Sequence, residues 1–283
     1  PPNEGHMTDL LKKMKSVGVY HFSPSQLNRP IASWMFEYVY LSKDKRREII
    51  VGENAALGSA AHEAIQAVVC HGQDIDEAVK HSTTGFDFHP ANQSPEKREK
   101  FRELIPEIAA TGIELLSGMF AGAQEEKKIE LMLPDVVVPV IGYVDLFKDG
   151  QLAEIKTKAP RMGMVKKDGT RSWAKVALPK EPVWEHIIQA AVYWKATGAT
   201  PNIAYVSADD GVIYNPDNCE KMSEQTLNHA IQEIRRKALV RQNLLAISTD
   251  PKVLAGLMEP DFNHPFYWSH QFKDVAKELW NNV

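Results

Sequence analysis

The alternation of apolar and polar positions is most regular in the middle of the chain. Residues 136–147 are rich in β-branched and aromatic side chains, and residues 152–157 alternate again. Between them, Asp149-Gly150 is typical of a two-residue turn, so the pattern predicts a β-hairpin. A second hairpin is predicted from residues 202–207 and 212–215, and a further strand from residues 129–133.

Apolar residues spaced three and four apart predict helices on both sides of these strands. The predicted helices cover about residues 54–70, 94–119, 182–197 and 223–247, with a shorter helix at 74–80, a loop at 83–92 and an amphipathic helix ending near Trp280. No repeat or low-complexity linker separates them. The order predicts an α/β fold with a central mixed sheet flanked by helices, in a single domain of residues 7–283 with a C-terminal helical extension.

Composition narrows the class of protein. The chain has 283 residues, a formal net charge of −4, and two cysteines distant in sequence, which supports neither a disulfide framework nor a cysteine-rich metal site. No apolar run approaches the length of a membrane span, so we expect a soluble, cytoplasmic protein, in the host cytoplasm if a phage encodes it. Residues 1–6, PPNEGH, read as an expression-tag remnant.

Three ionisable residues meet in the predicted central hairpin. Glu154 and Lys156 point to the same face of the second strand, and pairing across the turn brings Asp145 opposite or nearly opposite Glu154. Two carboxylates this close repel each other unless a cation neutralises them. Their oxygens, and the backbone carbonyl of Ile155, are ligands that suit Mg²⁺ or Mn²⁺. Lys156 beside such a cation can orient an attacking water, which favours phosphodiester hydrolysis. An ordinary amphipathic hairpin with solvated charges is the alternative.

Three polar residues on the flanking helices are further candidates. His62 lies near the apolar stripe of the helix at 54–70, where small residues allow close packing; a histidine there is more often structural than a ligand. Gln189 and Tyr193 are four residues apart and share one face of the helix after the hairpin. They suit positioning of a phosphate or of Lys156, although two polar residues at a helix edge are common.

A basic segment follows the hairpin directly. Between Lys156 and Lys180 there are eight lysines and arginines and one aspartate, a charge pattern that fits a polyanionic substrate. The candidate nucleic-acid-binding residues are Lys158, Arg161, Lys166, Lys167, Arg171, Trp173 and Lys175. We expect a mobile loop in which Trp173 stacks on a base, or else an insertion that Trp173 anchors to the protein body.

Four short motifs in order carry a resemblance to a known family. They are GxxxH (Gly58 to His62), GxxD (Gly142 to Asp145), ExK (Glu154 to Lys156) and QxxxY (Gln189 to Tyr193), preceded by FSPSQL and an aromatic-rich helix. The set resembles the RecB-like branch of the PD-(D/E)xK nuclease superfamily, over roughly residues 22–200. Val144 stands where the superfamily's name-giving proline would be.

The resemblance implies a restriction-endonuclease-like core and a role for each matching residue. His62, Asp145, Glu154 and the Ile155 carbonyl would bind one or two Mg²⁺ or Mn²⁺ ions, Lys156 would act on the attacking water, and Gln189 and Tyr193 would orient Lys156 or contact DNA. Two distant cysteines cannot hold the iron–sulfur cluster of some members, so none is expected.

The implied activity is a metal-dependent DNA exonuclease of recombination, repair or phage DNA metabolism. An endonuclease or flap nuclease, a DNA-binding module that has lost catalysis, and an accidental match in a structural or interaction protein are the alternatives. DNA is the expected partner, and a single-strand annealing protein or a helicase is open as a second. The sequence does not indicate the oligomeric state or the polarity of digestion.

Overall fold

The chain forms two compact units that interleave along the sequence. The computed structural model describes residues 4–91, 94–165, 167, 171–264, 267–268 and 270–283. Unit 1 consists of the described residues of Pro1–Ile50, Lys128–Gly142 and Leu227–Val283, and unit 2 of those of Val51–Lys127 and Tyr143–Thr226. All the described candidate site residues belong to unit 2. Lys166 lies outside the described residues.

The central sheet is mixed, as predicted. The strands are β1 (Gln124–Leu131), β2 (Val140–Lys148), β3 (Gln151–Thr157), β4 (Met162–Val165), β5 (Arg171–Trp173), β6 (Thr200–Val206) and β7 (Gly211–Tyr214). Within the described chain, five strands form one sheet in the order β1-β2-β3-β6-β7. β3 pairs antiparallel with β2 and parallel with β6, and β6 pairs antiparallel with β7. Both predicted hairpins are therefore confirmed.

Helices of unit 2 flank the strands of the sheet, and the described residues form eleven α-helices in all. They are α1 (Glu4–Ser16), α2 (Pro24–Asn28), α3 (Ile31–Met35), α4 (Lys43–Arg47), α5 (Glu53–His71), α6 (Ile75–Asp87), α7 (Pro95–Phe120), α8 (Trp184–Thr197), α9 (Glu224–Ile247), α10 (Pro251–Ala255) and α11 (Lys273–Asn281). A π-helical turn at Phe36–Tyr40 follows α3. As predicted, α8 ends at Thr197, and Gly198 follows it with a left-handed φ of 71° that suits glycine.

The two faces of β3 have different surroundings in unit 2. Ala153 and Ile155 point into an apolar core built with α5 and α7. The intervening positions, Glu154 and Lys156, point to the other face, where Lys156 contacts Gln189 of α8. The period of two thus places the ionisable residues of β3 under α8.

Several boundaries differ from the predictions. α6 runs to Asp87, so the predicted loop at 83–92 begins only after it, and residues 92 and 93 lie outside the described chain. Burial of Ala78, Ser82 and Phe86, one turn apart, explains the extra length. β2 starts at Val140 rather than at 136, and β1 covers Gln124–Leu131 rather than 129–133. The basic segment is not irregular throughout, because β4 and β5 pair within it.

Unit 1 has its own polar and aromatic centre. Arg241 of α9 is buried and donates hydrogen bonds to the carbonyls of Gln26 and Arg29, which ties α9 to the end of α2. In the C-terminal stretch, the ring of Trp268 packs against Phe36 and Trp280 at centroid distances of 5.7 and 6.0 Å. None of the helices in the described residues is both long and apolar enough to cross a membrane.

Candidate active site

The paired strands of the central hairpin separate at Asp145. Residues Leu146 to Lys148 pair with Ala153 to Gln151 around a turn in which Asp149 and Gly150 have φ of 46° and 76°. At the next position, Asp145 Oδ2 accepts a hydrogen bond of 2.7 Å from the backbone N–H of Ile155. In an antiparallel ladder the N–H and C=O of one residue point to the same side. The Ile155 carbonyl is therefore also directed toward the side of β2, where Asp145 lies.

Glu154 is a buried carboxyl with one oxygen left over. It is 1% exposed, and its Oε2 accepts a hydrogen bond of 2.8 Å from Lys156 Nζ. Its Oε1 has no partner at hydrogen-bond geometry among the described residues, although the Tyr193 hydroxyl lies near enough to lower the pKa of Glu154. Burial raises the pKa of Glu154 to about 8, the charge of Asp145 adds to the rise, and Lys156 opposes it. An unpaired buried carboxyl oxygen is costly, so this atom is suited to receive a cation or a donor.

Lys156 is held between β3 and α8. Its ammonium also donates to Gln189 Oε1 at 3.0 Å, and Gln189 Nε2 donates to the hydroxyl of Tyr193 at 2.9 Å. Burial alone would lower the pKa of Lys156, but the charges of Glu154 and Asp145 outweigh it and the net shift is upward. Lys156 therefore remains an ammonium. The structure thus brings the candidate residues of the ExK motif into contact with those of the QxxxY motif.

His62 approaches the same place from α5. Its Nδ1 lies 3.9 Å from Asp145 Oδ2, and its ring hydrogen-bonds to the backbone of Ile155. Burial lowers the pKa of His62 against the opposing effect of Asp145, which favours the neutral imidazole that metals bind. A Cβ added at Gly58 would lie 4.0 Å from the side chain of Thr157, so α5 packs directly on β3.

Two residues near Asp145 were not predicted. Gln66, one turn after His62, donates to the backbone carbonyl of Asp145 at 3.1 Å and to Glu126 Oε1 at 3.4 Å. With His62 they line a cleft of about 510 Å³. The spacing of four from His62 is a signal that could have singled out Gln66. Nothing local identifies Glu126, whose φ of 47° is left-handed within β1.

The basic segment presents most of its charge to solvent. Its exposed cationic side chains are Arg161, Lys167, Arg171, Lys175 and Lys180, and Arg171 forms an ion pair of 3.5 Å with Glu96. Lys158 is half-buried, and its ammonium lies 5.1 Å from the ring centroid of Tyr205. The ring of Trp173 lies 6.3 Å from that of Phe101 in α7, a contact that anchors β5 to unit 2. Stacking of Trp173 on a base stays a prediction.

The donor set at Asp145 is compatible with a divalent cation that keeps further oxygen ligands. Within the described ranges, no three His, Cys, Asp or Glu side chains are arranged to hold a metal by themselves. The unpartnered Oε1 of Glu154 and the carbonyl of Ile155 add oxygen donors beside Asp145. Mg²⁺ commonly takes one or two carboxylates and completes its shell with water and substrate oxygens, so the residues present fit that mode.

Comparisons with known proteins leave the family open. No protein-family model matches the chain, and no curated protein matches its sequence. A candidate exonuclease from Eubacterium rectale is similar in structure, with a TM-score of 0.49 and 15% identity, over 86% of this chain and 87% of its own. The protein SSO0001 is similar with a TM-score of 0.36 and 15% identity, over 85% and 86% of the two chains. At these values the assignment of the site depends on its own geometry.

Proposed function

We propose that the protein is a metal-dependent deoxyribonuclease of the RecB-like branch of the PD-(D/E)xK superfamily, acting as an exonuclease. The observation that carries the proposal is the convergence of four separate sequence motifs on one place in unit 2. His62 contacts Asp145, and Glu154 and Gln189 both contact Lys156. The backbone of Ile155, between Glu154 and Lys156, donates to Asp145 and so joins the two groups.

The cation would be held by the groups around the opened end of the hairpin. Asp145, Glu154 and the Ile155 carbonyl supply oxygens, and neutral His62 supplies a nitrogen donor. Mg²⁺ or Mn²⁺ bound here would supply Lewis-acid activation of water and neutralise charge that develops on the phosphate. Because the pKa of Glu154 is raised to about 8, binding of a cation near neutral pH is expected to release its proton.

Lys156 has the position and the charge for a direct role. As a fixed ammonium, it can hold the attacking water in line with the phosphorus and stabilise the charge that forms on the phosphate. Gln189, on α8, limits the positions of the Lys156 ammonium through a hydrogen bond, and Tyr193 limits the orientation of the Gln189 amide in the same way. Both are therefore positioning residues. Departure of the 3′ oxygen would leave a 5′ phosphate.

Neighbouring cations are suited to bind the DNA backbone. The exposed Arg161, Lys167, Arg171 and Lys175 provide sequence-independent phosphate contacts. A role in recombination, repair or phage DNA metabolism follows from the resemblance, and an annealing protein or a helicase is a partner of matching chemistry.

Digestion of end-labelled linear DNA and of closed circular DNA tests the proposal. Wild type and Lys156→Ala are compared in Mg²⁺, Mn²⁺ and EDTA, with Lys195→Ala, an exposed lysine of α8, as the matched control. We expect loss of linear DNA alone, only with metal, and abolished in Lys156→Ala. Cutting of the circle would indicate an endonuclease, and binding without cutting would indicate an inactive module. Absence of both DNA binding and DNA cleavage would refute the proposal.

A further inference from the structure

A histidine that no motif includes lies beside Lys156. β3 and β6 pair so that Lys156 and Tyr205 are neighbours, and neighbouring positions of paired strands share a face. His186, in the first turn of α8, precedes Gln189 by three residues and so lies on the same side of the helix. Its Nδ1 is 2.7 Å from the hydroxyl of Tyr205.

The contact with Tyr205 favours one tautomer of His186. The Tyr205 hydroxyl accepts a hydrogen bond of 2.9 Å from the backbone N–H of Val183, so its own hydrogen is free to be donated to His186 Nδ1. Burial, with the charges of Lys156 and Lys158, lowers the pKa of His186 to about 3, so the ring is neutral. A neutral imidazole that accepts at Nδ1 carries its hydrogen on Nε2. In the tautomer that Tyr205 favours, His186 is an Nε2–H donor.

Lys158, a cation with no ion-pair partner among the described residues, lies near this donor. Lys158 lies over the ring of Tyr205, and it forms no ion pair with a described residue. The other charged groups near His186 and Lys158 are Lys156, which donates a hydrogen bond to Glu154, Arg161, and the exposed Glu185. An ammonium that has no ion-pair partner in the part of the chain that the structure describes, together with a neutral N–H, matches an internal phosphate of a DNA strand, which carries one charge and several acceptor oxygens.

We propose that His186 Nε2–H and Lys158 Nζ together bind one phosphate of the DNA strand, beside the phosphate that Lys156 serves. Tyr205 is the positioning residue, because it favours one tautomer of His186. The inference rests on the proposed function and deepens it, since it adds a contact that holds the strand in the site before any metal binds.

The test is binding of a fluorescein-labelled single-stranded oligonucleotide by anisotropy, in EDTA and at several salt concentrations. His186→Asn can keep the contact with Tyr205 through its short amide but cannot reach the Nε2 position, whereas the longer amide of His186→Gln can reach that position. We expect about tenfold weaker DNA binding for His186→Asn, because it loses one charge-assisted hydrogen bond to the phosphate. We expect near-normal binding for His186→Gln, because it keeps that hydrogen bond. A purely structural histidine, held through Nδ1, would give the reverse order and would overturn the proposal.

Lys158→Gln should weaken binding and reduce the slope of log affinity against log salt by about 1, whereas His186→Asn should leave the slope unchanged. Lys195→Gln on α8 and His229→Gln at an exposed position of α9 are the controls for loss of a charge and loss of an imidazole ring. Tyr205→Phe removes the hydroxyl that favours the Nε2–H tautomer, so the ¹⁵N chemical shifts of the His186 ring should change toward those of a mixture of tautomers. Wild-type binding by both His186→Asn and Lys158→Gln would refute the site even if the protein cleaves DNA. Weakened binding without metal-dependent cleavage would refute the nuclease assignment alone.

Discussion

Replacing Glu154 by glutamine should stabilise the fold at high pH much more than at low pH. Glu154 is 1% exposed, and burial raises its pKa to about 8 from an ordinary value of 4.5. A group whose pKa is raised in the folded state stabilises the fold below its unfolded pKa, and this contribution is lost as the pH rises toward the folded pKa. The window for Glu154 is therefore pH 4.5 to about 8.

The magnitude follows from the size of the pKa shift. One pKa unit corresponds to about 1.4 kcal/mol, so the ionised form of Glu154 should cost on the order of 3 kcal/mol of unfolding free energy between pH 5 and pH 8. Glutamine has the same shape and does not ionise. The stability of Glu154→Gln relative to wild type should then rise by about this amount across the interval.

Urea unfolding followed by circular dichroism at pH 5 and pH 8, with EDTA present, measures the difference. Glu114→Gln, at an exposed position of α7, is the matched control and should track wild type at both pH values. If Glu154→Gln and wild type lose the same unfolding free energy between the two pH values, the reasoning about the buried carboxyl is wrong.

Three further variants test separate parts of the structure. Gln189→Leu removes one acceptor of the Lys156 ammonium and should lower the cleavage rate at least about tenfold with little change in DNA affinity by anisotropy; an unchanged rate would exclude the positioning role. In Gly112→Ala the new Cβ would lie 2.3 Å from Ile65 Cδ1. This should cost about 1–3 kcal/mol in urea unfolding, partly recovered by adding Ile65→Val, and wild-type stability would contradict it. Lys175→Gln should reduce the salt slope of DNA binding by about 1, and an equal slope would remove Lys175 from the interface.

The strand half of the site could be predicted because its determinants are local. Asp149-Gly150 specifies a two-residue turn, and the turn fixes the register of the strands on either side. The register alone places Asp145 next to Glu154, and the strand period places Lys156 on the same face as Glu154. The hydrogen bond from Ile155 to Asp145 could not be predicted, since it needs the strands to separate at that point.

The contacts of His186 and Gln66 could not be predicted because they depend on long-range pairing. Tyr205 becomes the neighbour of Lys156 only through the parallel alignment of β3 and β6, which are joined by a long crossover. No short motif encodes that register. Gln66 likewise contacts Asp145 only once α5 packs on the sheet.

The error at α6 shows tertiary contacts overriding local preference. The run Ser82 to Gly85 has the composition of a loop, and the predicted helix ended before it. Phe86 lies beyond that run and is 2% exposed in the core of unit 2, one turn after the buried Ser82. Burial of the phenylalanine side chain favours continued helix over the polar run.

The central claim is a cation site at the end of the central hairpin, and calorimetric titration with Mn²⁺ tests it most directly. A contaminating nuclease can imitate DNA digestion, but it cannot imitate stoichiometric binding of a cation. Asp145→Asn is the informative variant, since its amide oxygen can still accept the hydrogen bond from Ile155 while the charge is removed. We predict binding of one or two ions per chain by wild type, increasing from pH 6 to pH 8, and at least about tenfold weaker binding by Asp145→Asn. Equal binding by the two proteins, or none by wild type, would contradict the account.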